Sequence, residues 1–248
     1  MSNANAPTAR LLDDSGIAPG MRVLDVGSAF GVLTRELAVR VGPEGEVVGI
    51  DVDPARIEAA RGEAAPEGAG RIEYALADLA SELPELGTFD AIVGRRVLMY
   101  ISDPAAAIAR LARLLTPGGI MAWHEHDRAG GPYSVRELPV HRELSRIIWD
   151  TVEREGGRAG TAMRLSHMLR ELGLEIASMR SEAILVDGDG SATGQMTRMM
   201  MPRAREEGVI GANFDEDALI AALAEEGRGL DAPIVFDHAY LVIARKPG

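Results

Sequence analysis

Short runs of β-branched and aliphatic residues alternate along this chain with longer stretches in which apolar positions recur every three or four residues. Between Met21 and Lys246 the runs that read as strands are "RVLDVG", "EVVGIDV", "RIEYALA", "FDAIVGR", "GIMAWHE", "EAILVDG" and "AYLVIAR". Between two of them, "PAAAIARLARLL" sets Ile108, Leu111 and Leu115 on one helical face, and "TPGG" at 116–119 follows as a turn signal. This alternation predicts a parallel sheet covered by helices on both faces.

Two stretches break the alternation. Residues 128–173 hold too much helix for a simple crossover, and within them His141, Leu144, Ile148 and Val152 share a stripe. Residues 188–232 include the methionine-rich "GQMTRMMMPRAREEGV". Both are expected to cover the carboxyl edge of the sheet, where ligands bind in open α/β folds, so residues 1–248 read as a single domain with a two-part cap.

Composition narrows the function. A chain of 248 residues with 46% hydrophobic content can fill one enzyme-sized core. The formal net charge of −12 and the lack of a basic run argue against nucleic acid. With no cysteine there is no disulfide and no thiolate chemistry. The opening "MSNANAPTAR" has no leader pattern and no stretch is long and apolar enough to span a bilayer, so the expectation is a soluble, cytoplasmic protein with no membrane partner. The oligomeric state is left open, a homodimer included.

The most informative segment is "VLDVGSAFGVLTRELA" at 23–38, a strand, a tight glycine turn and a helix. Glycines let a backbone approach a ligand, and a helix start offers free N–H groups. A dinucleotide fingerprint beginning at Gly27 would need glycines at 29 and 32, which hold Ala29 and Val32, so a nicotinamide cofactor is disfavoured. Asp51 closes "EVVGID" where a carboxylate can accept from both ribose hydroxyls, and Asp78 in "YALADLA" can meet an adenine amino group. Three strand ends address one adenosine.

With these residues in view, the chain resembles the class I S-adenosylmethionine (SAM) dependent methyltransferases, in particular the small-molecule branch that includes quinone-biosynthesis enzymes. The resemblance rests on "VLDVGSAFG", "VVGIDVDP", "ALADL", "FDAIVGRRVLMYISDP" and "LLTPGG", in order, over residues 11–127, and on the final "HAYLVIARKP". It implies an α/β, doubly wound, Rossmann-like, mostly parallel seven-stranded sheet with helical cap insertions. It further implies that Gly27 and Gly31 frame the methionine part of SAM and that Asp25 orders its ammonium group. Asp51 would hold the ribose, Val52 would pack on the adenine, and Asp78 with Leu79 would read the adenine edge. Gly94 and Arg95 would lie beside the methionine moiety. Ala29 departs from the family's usual second glycine.

The acceptor side is less determined. Tyr100 in "VLMYISDP" stands where such enzymes often place an aromatic near the transferred methyl, although a core aromatic is an equal reading. Met196, Met199, Met200 and Met201 read either as an adaptable apolar surface or as helix filler. His141 reads as a buried, satisfied histidine, and Trp149 and His167 as packing. Arg95, Arg96 and Arg198 are candidates for an acidic substrate group. Asp53 before Pro54 reads as a helix N-cap, and Asp90 as structural. Only 22 residues precede Val23, so the cap is expected to enclose a compact, mostly apolar small-molecule pocket.

The stretch "WHEHD" at 123–127 falls at the carboxyl end of the fifth strand, and alternation sets His124 and His126 on one face with Glu125 and Asp127 on the other. A metal pair lacks further ligands, and no metal is expected. Strand-end solvation and a base or substrate-orienting role for His126 or His124 both stay open. The expectation is a methyl transfer from SAM to oxygen, nitrogen or carbon of a small molecule. A SAM-assisted reaction of another kind, such as cyclisation, or a non-catalytic SAM binder, are the alternatives.

Overall fold

The computed structural model describes residues 6–248. Its seven strands are β1 Arg22–Val26, β2 Glu46–Asp51, β3 Arg71–Leu76, β4 Phe89–Arg95, β5 Leu115–His126, β6 Glu175–Val186 and β7 Ile234–Arg245. They form one sheet in the order β3-β2-β1-β4-β5-β7-β6. The pairs from β3 to β5 are parallel, and β7 runs antiparallel to both β5 and β6. The order reverses between β1 and β4, and that reversal opens a crevice at their carboxyl ends.

Eight helices flank the sheet: α1 Ala6–Ser15, α2 Val32–Val41, α3 Pro54–Arg61, α4 Pro104–Arg113, α5 Pro139–Arg154, α6 Thr161–Glu171, α7 Ser191–Glu206 and α8 Glu216–Gly227. Capping starts several of them. Asp53 accepts from Ala55 N and Arg56 N, and Asp103 accepts from Ala106 N, each ahead of a proline at the first helical position. Asp90 Oδ2 accepts from Arg22 N at 2.8 Å, a side-chain-to-backbone tie between neighbouring strands.

Alternate residues of each strand feed two cores. Leu24, Ile92, Met121 and Trp123 pack with Ile108 and Leu111 of α4 and with Leu165 and Leu169 of α6. Val23, Ala91, Val93 and Ala122 pack on the other face with Leu11 and Leu12 of α1 and Leu33 and Leu37 of α2. A third core joins α5, α7 and α8 through Leu144, Ile147, Met200, Met201 and Leu223.

The structure refines three expectations. Helices α5, α7 and α8 share a core of their own, whereas α6, though inside 128–173, joins the layer beside α4, because Leu165 and Leu169 face the sheet. The "TPGG" stretch lies within β5 as an irregularity: the register steps from Phe89↔Leu115 to Ala91↔Ile120, and Gly118 N donates to Lys246 O. Strand β6 begins seven residues before "EAILVDG", since its half-exposed edge position tolerates the polar alternation of "EIASMRS".

Candidate active site

The turn after β1 winds through three left-handed residues, Gly27 at φ 69°, Ala29 at φ 48° and Gly31 at φ 73°. A Cβ on Gly27 would collide with Val97, and one on Gly31 with the Tyr74 hydroxyl, so neither position admits a side chain. Ala29 holds the same backbone region with a methyl group, and its N–H donates to Asp51 Oδ2 at 2.9 Å. Asp51 Oδ1 accepts from Asp53 N at 3.0 Å. Each carboxylate oxygen therefore has one partner and a further lone pair, and the residue keeps 6% of its surface open.

Beneath the turn lies Asp25, fully buried. Thr34 Oγ1 donates to its Oδ2 at 2.6 Å, while its Oδ1 has no partner. Burial pushes this carboxyl up to about 7, against the opposing pull of Thr34 and Arg95. Arg95, at the end of β4, has its pKa lowered by burial and by Arg96, with Asp25 opposing. Arg96 adopts φ 56°, and its N–H donates to His124 O at 2.7 Å. Ala29 and Arg96 are the two non-glycine residues with positive φ among the described residues, and both line the same pocket.

That pocket is a cavity of about 420 Å³ over the carboxyl ends of β1, β2 and β4. Its lining includes Gly27, Asp51, Val52, Asp78 and Leu79, and also Arg95, Arg96, Tyr100, Met199 and Arg203. Asp78 is closed into a local turn through Ala80 N at 2.8 Å, which aims the Leu79 backbone. Val52 is 62% exposed, an apolar side chain left bare at the mouth. Tyr100 ends a 3₁₀ turn, Leu98–Tyr100, and the Arg203 guanidinium stands 5.3 Å from its ring centroid. Arg203 is itself clamped by Glu155, with Nε 2.7 Å from Oε1.

The five residues of "WHEHD" separate into four jobs. Trp123 covers Gly94 so closely that a Cβ there would strike the indole ring, so Gly94 is a packing requirement and does not line the pocket. Glu125 Oε1 accepts from Val97 N and Leu98 N, both at 3.0 Å, which pins the turn leading to Tyr100. Asp127 accepts from Gly160 N at 3.1 Å and Met163 N at 3.3 Å, capping α6.

The histidines stack on the opposite face, beneath α1. Thr8 Oγ1 lies 2.8 Å from His124 Nδ1, His124 Nε2 lies 3.2 Å from His126 Nε2, and His126 Nδ1 lies 2.6 Å from Asp237 Oδ2. One neutral assignment satisfies all three contacts. The Thr8 hydroxyl donates to His124, His124 Nε2–H donates to His126, and His126 Nδ1–H donates to Asp237. Burial, with His126 and the nearby arginines, depresses His124 to about 2, which keeps it neutral.

His124 and His126, the expected base candidates, have all four ring nitrogens within hydrogen-bond distance of partners, and neither residue lines the pocket. Of the other expected positions, Gly27, Asp51, Val52, Asp78, Leu79, Arg95 and Tyr100 meet in the cavity. Asp25 and Gly31 support its floor from outside the lining.

Several expectations about the cap resolve by burial. Met199 is 64% exposed in the pocket, whereas Met200 is 4% exposed and fills the core between α5, α7 and α8 while also edging the cavity. His141 is buried with Nδ1 2.7 Å from Glu226, Trp149 packs on Met99 and Val152, and His167 pairs with Glu171 at the surface. Arg198 pairs with Asp217 away from the pocket. Arg56 and Arg203 line the cavity without having been singled out from sequence, since only tertiary packing brings them there. No helix among the described residues is long and apolar enough to cross a membrane.

Comparison with known proteins agrees with this geometry. Residues 17–170 match the family described as Methyltransferase domain. The nocamycin O-methyltransferase of Saccharothrix syringae is 40% identical over 110 residues, which cover 44% of this chain and 39% of that protein. The ubiquinone/menaquinone biosynthesis C-methyltransferase UbiE of Teredinibacter turnerae is 39% identical over 140 residues, covering 52% of this chain and 56% of that one. This chain thus spans less than two thirds of the length of these curated relatives. Among solved structures, the [4+2]-cyclase SpnF superposes with a TM-score of 0.57 at 26% identity, over 98% of this chain and 82% of that one.

Proposed function

The chain belongs to the class I methyltransferase-domain family, and from that premise we propose that it is a SAM-dependent enzyme moving a methyl group onto a small organic acceptor. When bound, SAM supplies an electrophilic methyl group on a sulfonium. The observation that carries the reading is the unpartnered Asp25 Oδ1 beneath a side-chain-free glycine turn and beside Arg95. The buried Asp25 Oδ1 accepts no hydrogen bond, and an ammonium group would supply one; Arg95, which interacts with Asp25, adds positive charge at the same place. The residues present therefore fit the amino-acid end of SAM.

Asp51 would use its two remaining lone pairs on the ribose hydroxyls. Val52 and Leu79 would cover the adenine faces, and Asp78 would accept from its amino group. On the acceptor side, Tyr100 would orient the substrate, its ring held by Arg203 and its turn by Glu125. Proximity and alignment supply much of the rate in such a transfer, and no histidine is needed as base. A cavity of about 420 Å³ suits a small molecule. The same reading places the protein in the cytoplasm and allows a homodimer, which light scattering would test.

The experiment is calorimetric titration with S-adenosylhomocysteine and with NAD. We expect the first to bind, Asp25→Asn to weaken it strongly, and NAD not to bind; the reverse selectivity would sink the reading. A second reading, a SAM-fold enzyme that catalyses cyclisation, is favoured by the SpnF likeness running through nearly the whole chain, cap included. Transfer of label from SAM to a small molecule would separate the two.

A further inference from the structure

Four arginines line the pocket, and three are matched. Arg56 sits 3.3 Å from Asp53 and 3.9 Å from Asp51, Arg203 is clamped by Glu155, and Arg95 interacts with Asp25. Arg96 differs. Among the described residues its guanidinium has neither an ion pair nor a hydrogen bond, in a chain with 38 acidic residues against 26 basic ones. Carboxylates are plentiful, yet none is placed beside it.

Its backbone is built, not loose. Arg96 holds a left-handed φ of 56°, which disfavours any residue with a Cβ. The carbonyl of His124 fixes the N–H of Arg96, and the carboxylate of Glu125 fixes the next two N–H groups. Both anchors come from the end of β5, and the His124 ring is in turn held between Thr8 and His126. Arg96 is exposed, and the pocket it lines also carries the apolar or aromatic side chains of Val97, Tyr100, Ile101 and Met199.

We propose that Arg96 selects the acceptor, which is a small, largely apolar molecule bearing a carboxylate whose charge Arg96 meets. The proposal rests on the reading of this pocket as a cofactor-and-acceptor site. A neutral acceptor lying against Arg96 would desolvate the guanidinium without compensation. A phosphate monoester would bring a second negative charge toward Asp51 and Asp78, with the remaining arginines already engaged. A single carboxylate matches the one open cation, and its planar oxygens suit the guanidinium fork.

The test uses the full chain saturated with S-adenosylhomocysteine and titrated with cinnamate, 2-naphthoate and benzoate. Each is compared with its primary amide, and benzoate also with phenyl phosphate. The expected result is a preference for each carboxylate over its amide of roughly tenfold or more. Arg96→Gln should erase the preference, Arg96→Lys should keep part of it, and both should leave S-adenosylhomocysteine affinity unchanged. Equal binding of acid and amide, a preference that survives Arg96→Gln, tighter binding of phenyl phosphate, or no saturable binding of any carboxylate would overturn the proposal. Loss of S-adenosylhomocysteine binding in Arg96→Gln would overturn it too, by making Arg96 a cofactor residue. If the wild-type chain binds no S-adenosylhomocysteine, the cofactor reading fails, and the same titrations without it still decide whether Arg96 selects carboxylates.

Discussion

The amide of Ala29 donates to the carboxylate of Asp51 at 2.9 Å, so the end of β2 holds the turn after β1 in a conformation that alanine by itself disfavours. The turn's shape is thus maintained across strands, and the residue that maintains it faces the pocket with its remaining lone pairs. Ala29→Gly should relieve the strain and stabilise the fold by up to about 1 kcal/mol, the glycine's extra unfolded-state freedom offsetting part of the gain. Urea unfolding would measure this. A loss of stability would mean that the alanine methyl contributes packing that outweighs the strain.

Gly27 and Val97 are in close apposition across the crevice, and Gly27→Ala should cost roughly 2 to 4 kcal/mol from overpacking and positive φ together. Val97→Ala in the same chain should recover the overpacking part only. A double-mutant cycle on unfolding free energies reads the coupling, and simple additivity would contradict the contact.

Asp51→Asn and Asp51→Ala separate support from binding. Asparagine keeps one acceptor for the turn, whereas alanine leaves the part-buried Ala29 and Asp53 N–H groups without theirs, a cost of about 1 kcal/mol for each. Both substitutions should weaken S-adenosylhomocysteine by roughly tenfold or more, with only the alanine variant clearly less stable. Calorimetry alongside unfolding curves would check the split.

Glu125 predicts a pH dependence with a definite sign. Burial raises its carboxyl from 4.5 to about 7, against the N–H groups of Leu98 and Val97. The folded chain therefore holds this proton more tightly than the unfolded chain. The corresponding stability is fully present below about pH 4.5 and is lost as pH rises through about 7. Glu125→Gln cannot ionise, so its stability relative to wild type should climb across that window and level off above it. Asp25→Asn should behave the same way from 3.8 to about 7. A flat difference between variant and wild type would show that these groups stay ionised in the fold.

The stacked histidines predict a stability effect without a binding effect. Thr8→Val removes the donor facing His124 Nδ1 and should cost about 1 kcal/mol, leaving S-adenosylhomocysteine affinity as in wild type. Weakened cofactor binding in this variant would tie the histidine chain to the pocket after all.

The succession of strands and helices, the glycine turn and the carboxylates Asp51 and Asp78 near strand ends were readable from the sequence because each depends on neighbours close along the chain. Gly27, Asp51 and Asp78 lie at strand ends, and alternation through "WHEHD" separated the histidine face from the carboxylate face correctly. The assignment of chemistry to that stretch was not readable. The partners that occupy the imidazoles, Thr8 and Asp237, lie 116 and 111 residues away, on an N-terminal helix and the last strand.

Sequence alone thus determined the α/β architecture and the end of the sheet at which the pocket lies, since hydrophobic period and turn chemistry are local properties. Tertiary structure decided which charges in that region are engaged. Glu155 takes up Arg203, Arg203 covers Tyr100 from α7, and Arg96 is left open on a backbone pinned by β5. Those pairings depend on distances between elements remote along the chain, and only the packed fold sets them.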